Sequence, residues 1–363
     1  MSSKNLLALL AAVALLALVA VLMSTPEQSN TSANELLLPG LKESLNDVTR
    51  VTIKAGNNRT VATLNRRDKN WTVTEQDEYP GDLGKIRQNL IALANARIVE
   101  KKTANPDFYN RLGVADIDQP NASGTLVEIE GPEFSASIII GDTGPGGSMV
   151  YARRVGEVQS QMVSAELDLT ADTADWLNKD LLDISSGSVH RININHPDGE
   201  SLRIEKSAPA ATDFMVLEIP EGRELSMASV ANPIGAALSD LTFEDVVPAA
   251  DFDPGGVEPV TTQFETFDGL IVKMTAYPVE NGIRVGFAFS ADEEIATRFQ
   301  NDATSPDAAD GETVEPVESQ FNDTVALAES LNTKLGPWIY TLPTYKSDQL
   351  VKRLDDLLTP AAG

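Results

Sequence analysis

His190 and His196 are the only histidines in this 363-residue chain, and it has no cysteine. Two imidazoles near one hairpin are the smallest set that suggests a metal ion. Yet His190 lies in an alternating strand pattern beside Arg191, with no carboxylate or serine at zinc-motif or triad spacing. His196 precedes Pro197 at a turn. Both read as ordinary strand and turn residues. No HExxH, G-x-S-x-G or Ser-x-x-Lys pattern accompanies them.

The glycine-rich stretch Gly141-Asp-Thr-Gly-Pro-Gly-Gly-Ser148 has glycines that would bare backbone N–H groups to a phosphate. It lacks the lysine a nucleotide loop needs, and strand patterns lie on both sides, so a hairpin turn is expected. Asp251-Phe-Asp253-Pro-Gly-Gly256 resembles the start of a calcium loop, but Pro254 and the missing later acidic ligands spoil it. Asp168, Asp172 and Asp175 fit the cap and first turn of a helix, where negative charge is favoured. Trp71, Trp176, Phe214 and Trp338 fit core packing better than ligand stacking. No catalytic, cofactor-binding or metal-binding residue is assigned, and no cofactor is expected.

Short alternating strands position these residues. Val48-Thr-Arg-Val-Thr-Ile-Lys54 turns at Gly56-Asn57-Asn58 and returns as Thr60-Val-Ala-Thr-Leu64, and Asn70-Trp71-Thr-Val73 adds a third strand. After Tyr79-Pro80-Gly81, Asp82 reads as the N-cap of a helix with Leu83, Ile86, Leu90, Leu93 and Ala94 on one face. Two hairpins follow, 125–130 with 136–140 and 149–154 with 159–163. Residues 170–182 are expected to form a closing helix.

The same grammar then restarts. Val189-His-Arg-Ile-Asn-Ile194 answers Val48-Thr-Arg-Val-Thr-Ile53, Pro197-Asp-Gly199 answers Gly56-Asn-Asn58, and Asp213-Phe214-Met-Val216 answers Asn70-Trp71-Thr-Val73. A helix at 236–241, a hairpin over 261–276, and Trp338-Ile-Tyr-Thr-Leu342 with a helix at 347–358 complete the second round. Six elements in shared order point to an internal duplication. The second copy carries two helices near 291–300 and 318–335 around an acidic loop, 301–316, too polar to bury a core.

Residues 6–23, LLALLAAVALLALVAVLM, contain no charge and as a helix would measure about 27 Å, close to a hydrocarbon core of roughly 30 Å. Lys4 precedes the run and Glu27 and Glu35 follow it, which predicts a cytoplasmic N-terminus with the remainder outside. A cleaved secretory signal competes, but Val21-Leu22-Met23 stands where small residues belong. The expected division is a stub and anchor at 1–23, a linker at 24–46, and α+β repeats at 47–186 and 187–363, the second with a helical acidic insertion at about 291–335.

The formal charge of −26, from 28 basic and 54 acidic residues, argues against nucleic acid, which requires clustered cations. It also predicts that anionic lipid headgroups repel this surface. Without cysteine the chain has neither disulfides nor thiolate chemistry. Asn-x-Ser/Thr triplets at Asn30, Asn58, Asn121 and Asn322 matter only in a eukaryotic secretory pathway.

The Trp71-Thr-Val unit, Tyr79-Pro80-Gly81-Asp82, the helix after it, and Phe108-Tyr109-Asn110-Arg111-Leu112-Gly113-Val114 resemble the bacterial domain-of-unknown-function family 4340. Ile140-Gly141 and Tyr151-Ala-Arg153 fit its Ile-Gly and Tyr-x-Arg strands. Gly81 replaces a usual Val, and Arg111-Leu112-Gly113 replaces a Tyr-Gly-Leu order. The resemblance spans about 48–300 and implies no catalytic residues. It implies a membrane-anchored companion of ABC-transporter and gliding-motility-type envelope proteins.

The expectation is therefore a non-enzymatic, single-pass inner-membrane protein, its bulk in the periplasm, that meets ABC-transporter-type subunits. A ligand- or glycan-binding protein using a cleft between repeats is the alternative. A hydrolase with paired carboxylates is a third reading.

Overall fold

The computed structural model describes residues 35–280, 282–303 and 317–360. The chain is a mixed α+β protein of antiparallel sheets with a few helices. It divides into two compact units. The first holds the described residues up to Glu75 together with Gly81–Trp176. The second holds Gln76–Pro80 and the chain from Leu177 onward. The boundary drawn from sequence, at 186/187, lies ten residues past this division.

In the first unit a short helix α1 (Leu41–Ser44) precedes β1 (Arg50–Ala55), β2 (Arg59–Arg67) and β3 (Asn70–Val73). Asn57 and Asn58 take left-handed φ values of 61° and 54°, which closes the β1–β2 turn as its asparagines allow. The two-residue strand β4 (Tyr79–Pro80) belongs to the second unit. Helix α2 (Leu83–Asn95) starts where Asp82 accepts a hydrogen bond from the Lys85 amide at 3.0 Å. Its buried Ile86, Leu90 and Leu93 face Val51, Ile53, Leu64 and Val127 of the sheet, with Trp176 beside them. Burying each such aliphatic chain stabilises by about 1.5–3 kcal/mol.

Strands β5 (Arg97–Lys101), β6 (Thr125–Glu130), β7 (Ser135–Thr143), β8 (Met149–Arg154) and β9 (Gln161–Ser164) complete the sheet, in spatial order β3-β2-β1-β6-β7-β8-β9-β5. Residues 35–37 pair with the outer edge of β5, through Ile98 N–H to the Glu35 carbonyl and Leu37 N–H to that of Ala96, both 2.8 Å. That covers an edge otherwise open to other chains.

The second unit contains β10 (Asp180–Leu182), β11 (Val189–Asn195), β12 (Ser201–Glu205), β13 (Met215–Val216), helix α3 (Asn232–Gly235), β14 (Leu241–Thr242) and β15 (Asp245–Pro248). Next come β16 (Val260–Thr266), β17 (Leu270–Val279), β18 (Gly282–Ala291), helices α4 (Glu293–Ala303) and α5 (Val317–Leu335), β19 (Trp338–Thr341) and α6 (Thr344–Ser347). Its main sheet runs β13-β12-β11-β16-β17-β18-β19-β15. Position by position this order matches the first sheet.

Three expected helices differ. Residues 170–182 form a 3-10 turn (Thr173–Trp176) and then β10. The Thr170 and Ala171 carbonyls accept from Trp176 Nε1 and Arg59, both at 3.3 Å, instead of from a continuing helix. Residues 347–358 break into α6 and two 3-10 turns. There Glu200 accepts the Leu354 amide at 3.0 Å, and the Leu350 carbonyl accepts from Thr262. Side chains of strands and turns thus take the backbone groups a helix would have used. The helix expected at 236–241 is absent: α3 ends at Gly235, 236–240 form turns, and Leu241 opens β14. Helices α4 and α5 lie where expected. The apolar run 6–23 and most of the acidic loop 301–316 lie outside the described residues. Among the described residues no helix is long and apolar enough to cross a membrane.

Candidate functional site

Between β5 and β6 the first unit carries a 23-residue connection, 102–124, that packs back on its own sheet. Ser160, fully buried, pins its start: the hydroxyl donates to the Thr103 carbonyl at 2.8 Å and accepts the Thr103 amide at 3.0 Å. Asn105 then caps a 3-10 turn (Pro106–Leu112), accepting the Asp107 amide at 3.1 Å, with Pro106 at the first position. Gly113 ends the turn at φ 67°.

Two motif glycines explain each other. A Cβ on Gly141 would stand 2.1 Å from the Leu112 carbonyl oxygen, and one on Gly124 would stand 2.1 Å from that of Gly113. The backbone of 112–113 therefore lies directly against β7. Val114, Ile117 and Tyr109 fill the space above Leu126 and Ile139.

Arg153 of β8 closes this arrangement. It is 4% exposed, and its Nε donates to the Val114 carbonyl at 2.8 Å. One terminal nitrogen donates to the Glu157 carbonyl at 3.2 Å and the other to Asp116 at 2.5 Å. The guanidinium lies 4.6 Å from the Tyr109 ring centre, and the Tyr109 hydroxyl donates to the Val158 carbonyl. One cation thus ties the 102–124 connection to the β8–β9 turn.

Beside this clasp opens a cleft of about 680 Å³. Tyr109 and Ala115 line it together with the polar Asn110, Asp116 and Gln119, and Val158 stands on its border. Phe108, Val155 and Val158 on the adjoining backbone are 42%, 46% and 64% exposed. The amides of Asn110 and Gln119 offer both donors and acceptors, the pairing a peptide backbone needs. Each of the three Arg153 nitrogens makes one bond of the clasp, so the guanidinium serves as frame. The arrangement can hold a partner segment.

The other residues singled out from sequence lie apart from this cleft. His190, in β11, is buried; Nδ1 lies 3.0 Å from the Lys206 carbonyl and the ring packs on Phe267 and Phe299. Burial pushes its pKa below the ordinary value, against the pull of that carbonyl. His196 directs Nε2 to the Lys352 carbonyl at 3.2 Å. Each imidazole is committed to a different carbonyl, and among the described residues no cluster of three His, Cys, Asp or Glu is placed to hold a metal.

The 141–148 stretch is the end and turn of the β7–β8 hairpin. Asp253 accepts the Gly255 amide at 2.8 Å in a turn between β15 and β16. Asp168 pairs with Lys85 at 3.0 Å, and Asp172 accepts the Ala174 amide at the 3-10 turn that contains Asp175. Trp71, Trp176 and Phe214 are buried in cores.

Trp338 joins an aromatic cluster of the second unit with Tyr79, Tyr340 and Phe243, its ring 4.9 Å from Tyr79. Burial drives the Tyr79 hydroxyl to a pKa of about 12 and raises that of Tyr340 further still. Sequence reading passed over Arg153 as a functional frame. Its signal was present as the first of two arginines ending the strand, two residues after Tyr151.

No curated protein and no solved structure matches the chain. A family model described as "Domain of unknown function (DUF4340)" matches residues 71–259, more than half the chain. That span includes Tyr109, Gly113, Gly141 and Arg153. The residues that build the clasp thus fall within the match, and the chain belongs to this family.

Proposed function

We propose that this protein is a non-enzymatic, membrane-anchored interaction module of the bacterial envelope, serving an ABC-transporter or gliding-motility-type assembly. In this reading the 6–23 run crosses the inner membrane and the two units stand in the periplasm. The two units are duplicates, a reading supported by their matching strand orders. The observation that carries the interaction role is the framed cleft lined in part by exposed Val158, with exposed Phe108 and Val155 next in sequence to its lining residues Tyr109 and Gly156. Exposed apolar side chains beside polar groups, on backbone held in place, are what a protein-binding site offers.

The test is co-purification of the tagged full-length protein from native membranes in mild detergent. Transporter subunits should accompany the wild type, and Phe108→Asp with Val158→Asp should reduce their recovery at least tenfold while the protein level holds. Recovery of the wild type alone, with a thermal shift on adding glycans or small ligands, would replace this reading by a ligand-binding one.

A further inference from the structure

The chain's charge is segregated. Residues 50–102 contain eleven of the 28 basic residues and six of the 54 acidic ones, so this stretch carries +5 while the rest carries −31. The structure gathers part of that excess at one end of the first unit, around two hollows that share Arg66. The first, about 380 Å³, is lined by Arg50, Arg66 and Arg67 with Thr49, Asn65 and Glu130. The second, about 180 Å³, is lined by Trp71, Leu83, Leu90 and the 51% exposed Ile91 together with Arg66, Lys69 and Arg87.

Five cations therefore face one carboxylate, and Glu130 is already 3.6 Å from Arg50. Arg66 donates from Nε to the Asp68 carbonyl at 3.1 Å and from one terminal nitrogen to the Asn46 and Val48 carbonyls, which holds it in place between the hollows. The surface is amphiphilic: a cationic hollow for an anionic head adjoins a mixed one where aliphatic and indole side chains that take hydrocarbon stand among cations.

We propose that this end of the first unit docks on anionic phospholipid headgroups of the membrane. The inference rests on the anchor reading above. The eleven residues 24–34 after the apolar run span at most about 40 Å and join the fold at Glu35 on the β5 edge, from which α1 leads to Leu45 and Asn46 of the second hollow. A surface so tethered meets the bilayer at high effective concentration. Net repulsion, expected from the average charge of −26, does not govern a local patch, because fields are screened beyond about 8–10 Å at physiological salt.

The experiment places the full-length chain in nanodiscs of phosphatidylcholine, with or without phosphatidylglycerol, and follows acylation of Lys69 by mass spectrometry, with exposed Lys273 as control. Phosphatidylglycerol should slow labelling of Lys69 and leave Lys273 unchanged. Each basic residue near an anionic surface contributes roughly fivefold to binding, so Arg67→Gln with Arg87→Gln should weaken docking about 25-fold and restore labelling. Equal labelling in both discs overturns the proposal. Protection by glycerol phosphate in phosphatidylcholine discs, matching that by phosphatidylglycerol, overturns it in favour of a soluble anion.

If the chain fails to enter discs, the anchor reading falls separately. Flotation of the chain with phosphatidylglycerol vesicles, lost in the Arg67→Gln/Arg87→Gln variant, then still supports docking, and no flotation overturns it.

Discussion

Both units string their strands in one order, yet they elaborate it at different joints. The first unit places 102–124 between β5 and β6, folds it flat against β7 through paired glycines, and locks it with Arg153. The second has only 249–259 at that joint and instead inserts α4 and α5 between β18 and β19. Helix α5 is fastened to β18 by Asn332, whose side chain accepts the Phe289 amide at 2.9 Å and donates to the Phe289 carbonyl at 2.7 Å. A shared sheet leaves loops free to diverge, and that is where recognition surfaces arise. The first elaboration leaves an open cleft framed by a cation, whereas the second unit contains a closed aromatic cluster.

This contrast predicts separable responses. The largest is expected from Tyr79→Ala: truncating a fully packed aromatic costs about 3–5 kcal/mol. Although residue 79 lies early in the chain, the loss should appear as faster hydrogen exchange across 260–290, with strands 50–67 of the first unit less affected. The reverse pattern would erase the distinction between units.

Next in size is Arg153→Met, which leaves the Val114 and Glu157 carbonyls without their donor. It should cost about 2–4 kcal/mol, the lower end applying because Asp116 is half exposed and its ion pair is screened. Exchange should rise in 103–120 and 155–160 and stay constant in the second unit.

The smallest effect is a pH dependence confined to the second unit. The folded state holds His190 at a pKa below its unfolded value, chiefly through burial and against the Lys206 carbonyl; Arg191 and Arg298 also oppose its charge and Glu205 favours it. Between those two values the unfolded chain binds the extra proton, so this contribution is full above about pH 6.5 and is lost as pH falls. The slope cannot exceed about 1.4 kcal/mol per pH unit. Denaturation midpoints between pH 7 and 5 should flatten in His190→Phe.

Much of the sheet architecture was legible because local signals agreed with tertiary ones. Asn57-Asn58 adopt the left-handed turn their side chains tolerate, and Asp82 caps the helix its position announces. Helices failed where distant side chains claimed the backbone, as Glu200 does at Leu354 and Arg59 does at Ala171. Such long-range competition has no periodicity to betray it. The candidate site was half legible: Tyr109, Gly113, Gly141 and Arg153 appeared as motif letters. Their common purpose required the 2.1 Å approach and the guanidinium fork to be seen together.

Because Gln76–Pro80 belong to the second unit, that unit is completed by residues synthesised long before the rest of it. Tyr79 leaves the ribosome 261 residues ahead of Tyr340, its aromatic neighbour, an interval of about 13–50 s at ordinary elongation rates. Until then an apolar ring and five residues of backbone wait between β3 and α2, a ready target for chaperones. Severing the chain at 176/177 would leave the early fragment with all of the first unit but holding a strand that the later half needs, so the later piece should regain native exchange rates only when the two are mixed.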